Sequence, residues 1–247
     1  MFRATIAVSP FEELLDAVAV LVDECRVRVD PDGVQIRAAD PAMVALVEVS
    51  LSADAFKRYE ADGEVLGVDI ERLCEVLRVA DGDETVRLEL DPETRTLGIE
   101  IGTVSYTLAL LDPASIRDEP ELPAHDPPAE VRLRGTHLDR GIRAADMVAD
   151  HLRLRVDDEA EQFAIEAEGD TDDVAVELTR EEVEELVAGR ADSLYSLDYL
   201  REMNKAIPGE ATVTLELGEE FLAGVHFDAT EPGPAVSYRL APRIQNR

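Results

Sequence analysis

Apolar and polar residues alternate at the start of the chain and again just past its middle. Ala4, Ile6 and Val8 share one face of an extended segment, and Val131 and Leu133 do so in the second half. The period then changes. Phe11, Leu14, Leu15, Val18 and Leu21 form the stripe of an amphipathic helix, as do Leu138, Ile142, Ala145 and Val148. A second helix is predicted in each half, on Ile70, Leu73, Cys74 and Leu77 and on Leu197, Leu200, Met203 and Ile207. Short strands fill the rest of the first half: 25–29, a turn at Pro31-Asp32-Gly33, then 34–37, 44–51, 86–90, 97–101 and 104–111. Their counterparts in the second half are 152–156, 163–168, 174–178, 213–217, 224–227 and 236–240. Thr179 with Glu182 reads as a capping box that opens a short helix to Leu186.

The two halves are copies. Val104-Ser105-Tyr106-Thr107-Leu108-Ala109 recurs as Val236-Ser237-Tyr238-Arg239-Leu240-Ala241, with five of six residues identical. Residues 82–90 recur as 209–217, and 23–30 as 150–157, both at an offset of 127. So long a period is a domain duplication and not a solenoid. Between the copies, residues 112–128 hold five prolines, which exclude a regular helix or a central strand and read as an extended connector. The expected organisation is a domain over 1–111, a connector over 112–128 and a second domain over 129–247. Each domain is α+β, with helices on one face of antiparallel sheets.

Composition changes the picture in one respect. The chain has 24 Lys+Arg against 55 Asp+Glu, a net charge of −31, and its only lysines are Lys57 and Lys205. That balance fits a protein adapted to multimolar salt. Cys25 and Cys74 lie in apolar contexts and read as buried thiols. No signal peptide and no apolar run of membrane-spanning length is seen, so a cytoplasmic location with no membrane partner is expected.

The common catalytic and phosphate-binding motifs are absent, and His125, His137, His151 and His226 have no partner at ligand spacing. Asp170-Thr171-Asp172-Asp173 lacks the glycine and glutamate of a calcium loop and reads as a solvated turn. Neither a catalytic residue, a metal nor a cofactor is expected. What the sequence does offer is positive charge on the helices, where cations are otherwise scarce. Arg72 and Arg78 sit on one helix, Arg140 and Arg143 on a second, and Arg201 and Lys205 on a third. Arg78 and Lys205 are repeat-equivalent. On ordinary solvated helices such residues would pair with nearby carboxylates. On one face of a repeated architecture they would read nucleic-acid backbone without sequence preference.

Several segments, in order, carry a family resemblance. They are Met1-Phe2, residues 37–47 from Arg37-Ala38-Ala39-Asp40, Gly67-Val68-Asp69, residues 106–112, residues 197–206, and the closing Tyr238-Arg239-Leu240-Ala241-Pro242-Arg243-Ile244. Over essentially its whole length the chain resembles the DNA sliding clamp of archaea and eukaryotes, proliferating cell nuclear antigen, in a halophilic archaeal form.

The resemblance implies a closed homotrimeric ring of six similar domains whose helices line a central hole and encircle duplex DNA. Such a ring tethers polymerases and repair enzymes without catalysis of its own, and the implied partners are a clamp loader, DNA polymerases, flap endonuclease and DNA ligase. Arg78, Arg140, Arg143 and Lys205 match the family's DNA-facing basic residues, with Arg72 and Arg201 as additions. The subunit interface maps to the strand bearing Val104, Tyr106, Leu108 and Leu110 and the one bearing Val174, Val176 and Leu178. A partner-peptide pocket maps to Met43, Val44, Leu46, Leu122, Pro123, Leu240, Ala241 and Pro242.

One departure stands out. The family's first helix usually carries lysines, whereas this one carries Glu12, Glu13 and Asp16, with Asp23 just beyond. Cations from the salt medium are therefore expected to bridge carboxylates and phosphates. Two other readings stay open: a subunit of a specialised or heterotrimeric damage-response clamp, and a halophilic enzyme with an unrecognised carboxylate site.

Overall fold

A computed structural model describes residues 1–81, 84–118, 126–187 and 189–243. Two units result: residues 1–120 with 229–236, and 121–228 with 237–247.

In the first unit the chain runs β1 (Phe2–Ala7), α1 (Val8–Ala19), β2 (Glu24–Asp30), β3 (Gly33–Ala39), β4 (Ala45–Ser52), β5 (Arg58–Ala61), β6 (Glu64–Asp69), α2 (Ile70–Leu77), β7 (Thr85–Asp91), β8 (Thr96–Ile101) and β9 (Val104–Ala109). Its strands lie in the orders β5-β1-β7-β8-β9 and β4-β3-β2-β6, antiparallel throughout. The second unit repeats this with β10 (Ala129–Arg134), α3 (Gly135–Ala145), β11 (His151–Asp157), β12 (Gln162–Glu168), β13 (Asp173–Thr179), β14 (Glu185–Val187), β15 (Ala191–Ser196), α4 (Leu197–Lys205), β16 (Thr212–Leu217), β17 (Ala223–Asp228) and β18 (Ala235–Leu240). Its orders are β14-β10-β16-β17-β18 and β13-β12-β11-β15, the same arrangement element for element. The duplication read from the sequence is thus a duplication of topology.

Period-two burial fixes the register of most strands. In β2, Cys25, Val27 and Val29 are buried while the residues between them face outward, and β11 repeats this with Leu152, Leu154 and Val156. A one-residue slip would expose every one of these side chains. The helical stripes close the cores. Phe11, Leu14, Leu15 and Val18 of α1, and Leu138, Ile142 and Ala145 of α3, are buried. Leu21, Val148 and Ile207 extend the helical period but lie past the helix ends. Each core also holds a tyrosine whose hydroxyl finds a carbonyl. Tyr59 donates to Gly33 O at 2.7 Å, and Tyr195 to Phe221 O at 2.8 Å. Burial raises both phenols, Tyr195 up to about 12.

The structure corrects the sequence reading in three places. The Thr179–Glu182 box opens no helix. Glu182 Oε2 does accept from Thr179 N at 3.0 Å and Thr179 Oγ1 at 2.9 Å, but the bonds close a turn, and the chain continues as β14 beside β10. Six residues cannot both form a helix and return Leu186 to the core, where it is 3% exposed. The strand predicted at 104–111 stops at Ala109, and Leu111 instead bridges back to Gly67. A Cβ on Gly67 would sit 2.6 Å from Leu111 O, so this approach requires glycine. Residues 113–115 form a single 3-10 turn capped by Asp112, whose Oδ1 accepts from Ala114 N at 3.0 Å. Cys25 is buried as expected, whereas Cys74 is only partly covered.

The described start of the connector, 112–118, is fastened to the first unit. Arg26, projecting from β2, donates through Nε to Pro113 O at 2.8 Å and through Nη2 to Ile116 O at 2.7 Å, and its Nη1 lies 3.0 Å from Asp118. Ile116 is buried beneath it at 6% exposure. One planar guanidinium thus holds three successive points of a segment that has no ladder of its own. Arg26→Ala is expected to cost roughly 2–3 kcal/mol, because two shielded carbonyls lose their donor. Arg26→Lys is expected to restore little of it. Chemical denaturation together with amide exchange over 112–118 checks this: faster exchange confined to that segment is the expected pattern, and unchanged exchange would count against it.

Candidate nucleic-acid interface

In the first unit the helix-borne basic residues lie on and just past α2. Asp69 caps this helix, its carboxylate accepting from Arg72 N at 2.8 Å. The Arg72 side chain is exposed yet tethered at both ends of its guanidinium. Its Nη1 meets Glu75 at 2.6 Å, its Nε donates to the Tyr106 hydroxyl at 3.0 Å, and its Cζ stands 5.7 Å from the Tyr106 ring centre. Two residues that the sequence assigns to different surfaces are therefore in contact. Arg78, the C-cap residue, is exposed and makes no ion pair with a described residue.

Helix α1 packs against α2 and carries Glu12, Glu13 and Asp16 with no basic residue. Burial pushes the carboxyl pKa values of Glu12, Glu13 and Asp16 upward, and the Asp16 charge raises the two glutamates further. Arg78 partly offsets the rise at Asp16. This helix surface disfavours additional negative charge, and a phosphate would meet Arg78 and Arg72 beside repelling carboxylates.

In the second unit α3 and α4 pack together. Asn204 donates to Asp139 at 2.9 Å, and Arg201 joins Asp146 and Asp198, each at 3.0 Å. Arg143 lies 3.5 Å from Asp139 with 77% of its side chain exposed, and Lys205 binds both oxygens of Glu202 at 2.7 and 2.6 Å. Arg140 is exposed, with no ion pair to a described residue. Arg140, Arg143, Arg201 and Lys205 thus lie on one packed helix pair. Their acidic partners are exposed as well, and such pairs hold weakly in water. The guanidinium and ammonium groups can exchange a carboxylate for a phosphate at little cost.

The strands assigned to the subunit interface are both edges. β9 has β8 on one side and β13 has β12 on one side, leaving the outer row of backbone groups of each open. Val104 is exposed, while Tyr106, Leu110, Val174 and Val176 are half-buried. Leu108 and Leu178 differ, at 4% and 7% exposure. Their side chains belong to the cores of their own units, so only their backbone is open to a neighbour. A groove of about 770 Å³ lies between residues 146–151 and 166–172, with Met147 exposed on its rim. Among the described residues no group of three His, Cys, Asp or Glu could hold a metal ion.

The residues assigned to partner docking divide in the same way. Met43 is exposed at the tip of a loop with φ of 59°, and Val44 and Leu46 are half-buried. Leu240 is fully buried, and Ala241 and Pro242 are half-buried. Leu122 and Pro123 lie outside the described residues. Asp40, 4% exposed, organises the Met43 loop: its carboxylate accepts from Ala42 N at 2.9 Å and from Val44 N and Ala45 N at 2.7 Å. Sequence reasoning assigned no role to Asp40 or Arg26. The Asp-Pro pair at 40–41 is a turn signal that could have pointed to the first, whereas nothing local marks the second.

Comparison with known proteins concerns the chain as a whole. Residues 1–106 match the family model described as proliferating cell nuclear antigen, N-terminal domain. The chain is 53% identical to a DNA polymerase sliding clamp of Natronomonas pharaonis and 51% identical to one of Halobacterium salinarum, each over 246 residues and the full length of both chains. Its fold superposes with a TM-score of 0.95, at 32% identity and complete coverage of both chains, on A. fulgidus PCNA from a structure with the C-terminal region of FEN-1 bound. No described helix is long and apolar enough to cross a membrane. Two units with one strand order, paired helices bearing basic residues, and likeness to halophilic clamps from end to end lead to one assignment: the chain belongs to the proliferating cell nuclear antigen family of DNA polymerase sliding clamps.

Proposed function

We propose that this protein is the replicative clamp itself: a homotrimer that encircles duplex DNA, holds polymerases and repair enzymes on it, and catalyses nothing. The observation that carries the reading is the end-to-end likeness to sliding clamps. The open edges of β9 and β13 support head-to-tail closure, since a strand of one copy can extend the sheet of the next and a closed ring leaves neither edge exposed. In this reading Val104, Tyr106, Leu110, Val174 and Val176 pack across the junction, Leu108 and Leu178 contribute backbone, and Arg72 braces Tyr106 from its own subunit.

Arg78, Arg140, Arg143, Arg201 and Lys205 face DNA. Their contacts are sequence-neutral and weak, which suits a ring that must slide. The α1 carboxylates oppose phosphate, and in a salt-saturated cytoplasm mobile cations screen them within a few ångströms. The remaining partners are the clamp loader, DNA polymerases, flap endonuclease and DNA ligase, bound through a short peptide. Its apolar anchors meet Met43, Val44 and Leu46, with Leu122, Pro123, Leu240, Ala241 and Pro242 contributing. The location consistent with this role is the archaeal cytoplasm, at the nucleoid.

Two experiments test the assignments separately. Arg143→Ala combined with Lys205→Ala is expected to cut polymerase stimulation on primed circular templates by roughly tenfold, while the mass of the assembly stays unchanged. Undiminished primer extension would remove these residues from the DNA surface. Asp40→Ala, which frees three backbone donors, is expected to loosen the Met43 loop and weaken binding of a flap-endonuclease C-terminal peptide by about 1–3 kcal/mol, with DNA loading intact. Equal peptide affinity by calorimetry would place docking elsewhere.

A further inference from the structure

Gly98 lies inside β8, where glycine weakens a strand and often marks the close approach of another group. Its own backbone makes no demand for glycine. It lacks a positive φ, and a Cβ there would have Glu89 O at 3.5 Å as its nearest neighbour, an ordinary contact.

The second unit shows what the position is for. Gly98 faces Glu89 across the β7–β8 ladder, and Gly224 faces Glu216 across the β16–β17 ladder. Glu89 and Glu216 are repeat-equivalent at the offset of 127. A Cβ on Gly224 would clash with Nη1 of Arg239 and stand 2.7 Å from Oε2 of Glu216. The Arg239 guanidinium occupies the space over this glycine and pairs with Glu216, which His226 Nε2 also approaches at 3.1 Å. Burial alone would raise the Glu216 pKa, yet its bonds to Arg239 and His226 leave it lowered.

The first unit keeps the carboxylate and the glycine but lacks the arginine. In the repeated hexapeptide Arg239 corresponds to Thr107, which faces Gly98 from β9 and is too short to cover it. In place of a guanidinium there is an open groove of about 550 Å³. Glu89 receives Arg3 through Oε1, at 2.8 and 2.5 Å, and Glu100 receives Arg87 through Oε2 at 2.9 Å. Oε2 of Glu89 and Oε1 of Glu100 have no partner among the described residues. Arg3 and Arg87 are each matched by a carboxylate, Asp91 adds a third on the rim, and the Met1 amine, also on the rim, is held by Asp62 and Glu64.

We propose that the groove over Gly98 accepts an arginine side chain from a partner polypeptide. Its guanidinium takes the place that Arg239 holds in the second unit and bonds the open oxygen of Glu89. A planar fork can lie over a bare peptide group and reach a carboxylate at once, whereas a lysine ammonium offers only a point charge. The proposal rests on the internal repeat and stands apart from the clamp reading.

The test uses the full-length protein and Nα-acetyl-arginine N-methylamide as probe, followed through amide resonances in dilute buffer and in multimolar KCl. Saturable shifts at Gly98, Thr107 and Glu89 are expected, with the lysine analogue giving little response. Gly98→Val, whose Cβ makes only an ordinary contact with Glu89 O, is expected to weaken the association by roughly tenfold or more. Thr107→Arg supplies the missing side chain from within the chain and is expected to abolish binding. The two variants act from different strands, so either decides if the other fails to fold. No saturable shift at Gly98, an equal response to the lysine analogue, or undiminished binding by the variants overturns the proposal.

Discussion

Most of the described strands bury one face and turn the other outward, and the rest of the structure depends on that constraint. The buried rows, such as Cys25, Val27 and Val29 or Leu152, Leu154 and Val156, set the register of each ladder. Register in turn fixes which residues look outward, and hence the partners of each arginine. Arg3 meets Glu89, Arg37 meets Glu48, Arg132 meets Glu185 and Arg155 meets Glu166 because they stand across or diagonal to one another on neighbouring strands. The helices obey the same rule at a different period, burying one stripe and leaving the other to carry Arg143, Arg201 and Lys205. Edge strands are what remains once the ladders are filled, and β9 and β13 are such edges.

Charge is distributed by use. With a net charge of −31, carboxylates cover most of the surface and cations are few enough for each to have a legible position. The arginines of the sheets sit in cross-strand pairs, where they keep outward faces soluble and aligned. Exposed pairs of this kind add little stability, and less at high salt. Of the helix-borne cations, Arg72, Arg143, Arg201 and Lys205 have solvent-accessible acidic partners that are easily exchanged. Arg26 and Arg239 form a third group, with side chains 17% and 15% exposed, and act as fixed parts of the fold. The acidic α1 departs from the lysine-bearing first helix usual in the family, and its carboxyl pKa values are raised chiefly by burial, with the Asp16 charge adding to the rise at Glu12 and Glu13.

Much of this was legible in the sequence wherever residue type and burial agree. The four helices, the core strands and the duplication come from apolar periods and the 127-residue offset, and the six basic residues lie on or at the ends of the helices that the period predicts. The remainder escaped for identifiable reasons. β15 buries Ala191, Ser193 and Tyr195, and a buried serine bonded to Gly218 O at 2.8 Å does not read as apolar. β6 buries Gly67 against Leu111, a contact 44 positions along the chain that no local pattern can announce. The box at Thr179 and Glu182 formed its hydrogen bonds but closed a turn, since local capping chemistry does not dictate the element beyond it. Leu108 and Leu178 share a strand face with the other interface candidates, and only their burial, which no local pattern announces, sets them apart. The significance of Gly98 emerges only when the two repeats are laid over each other in register.

The central claim is that this chain closes on itself as a ring of three. Light scattering of the purified protein in multimolar KCl tests it most directly. The account predicts about 81 kDa, three times the 27.1 kDa chain, and loss of that mass in dilute buffer as unscreened carboxylates repel across the junction. A monomer that persists at high salt would contradict it and return the chain to the role of one subunit in a mixed assembly.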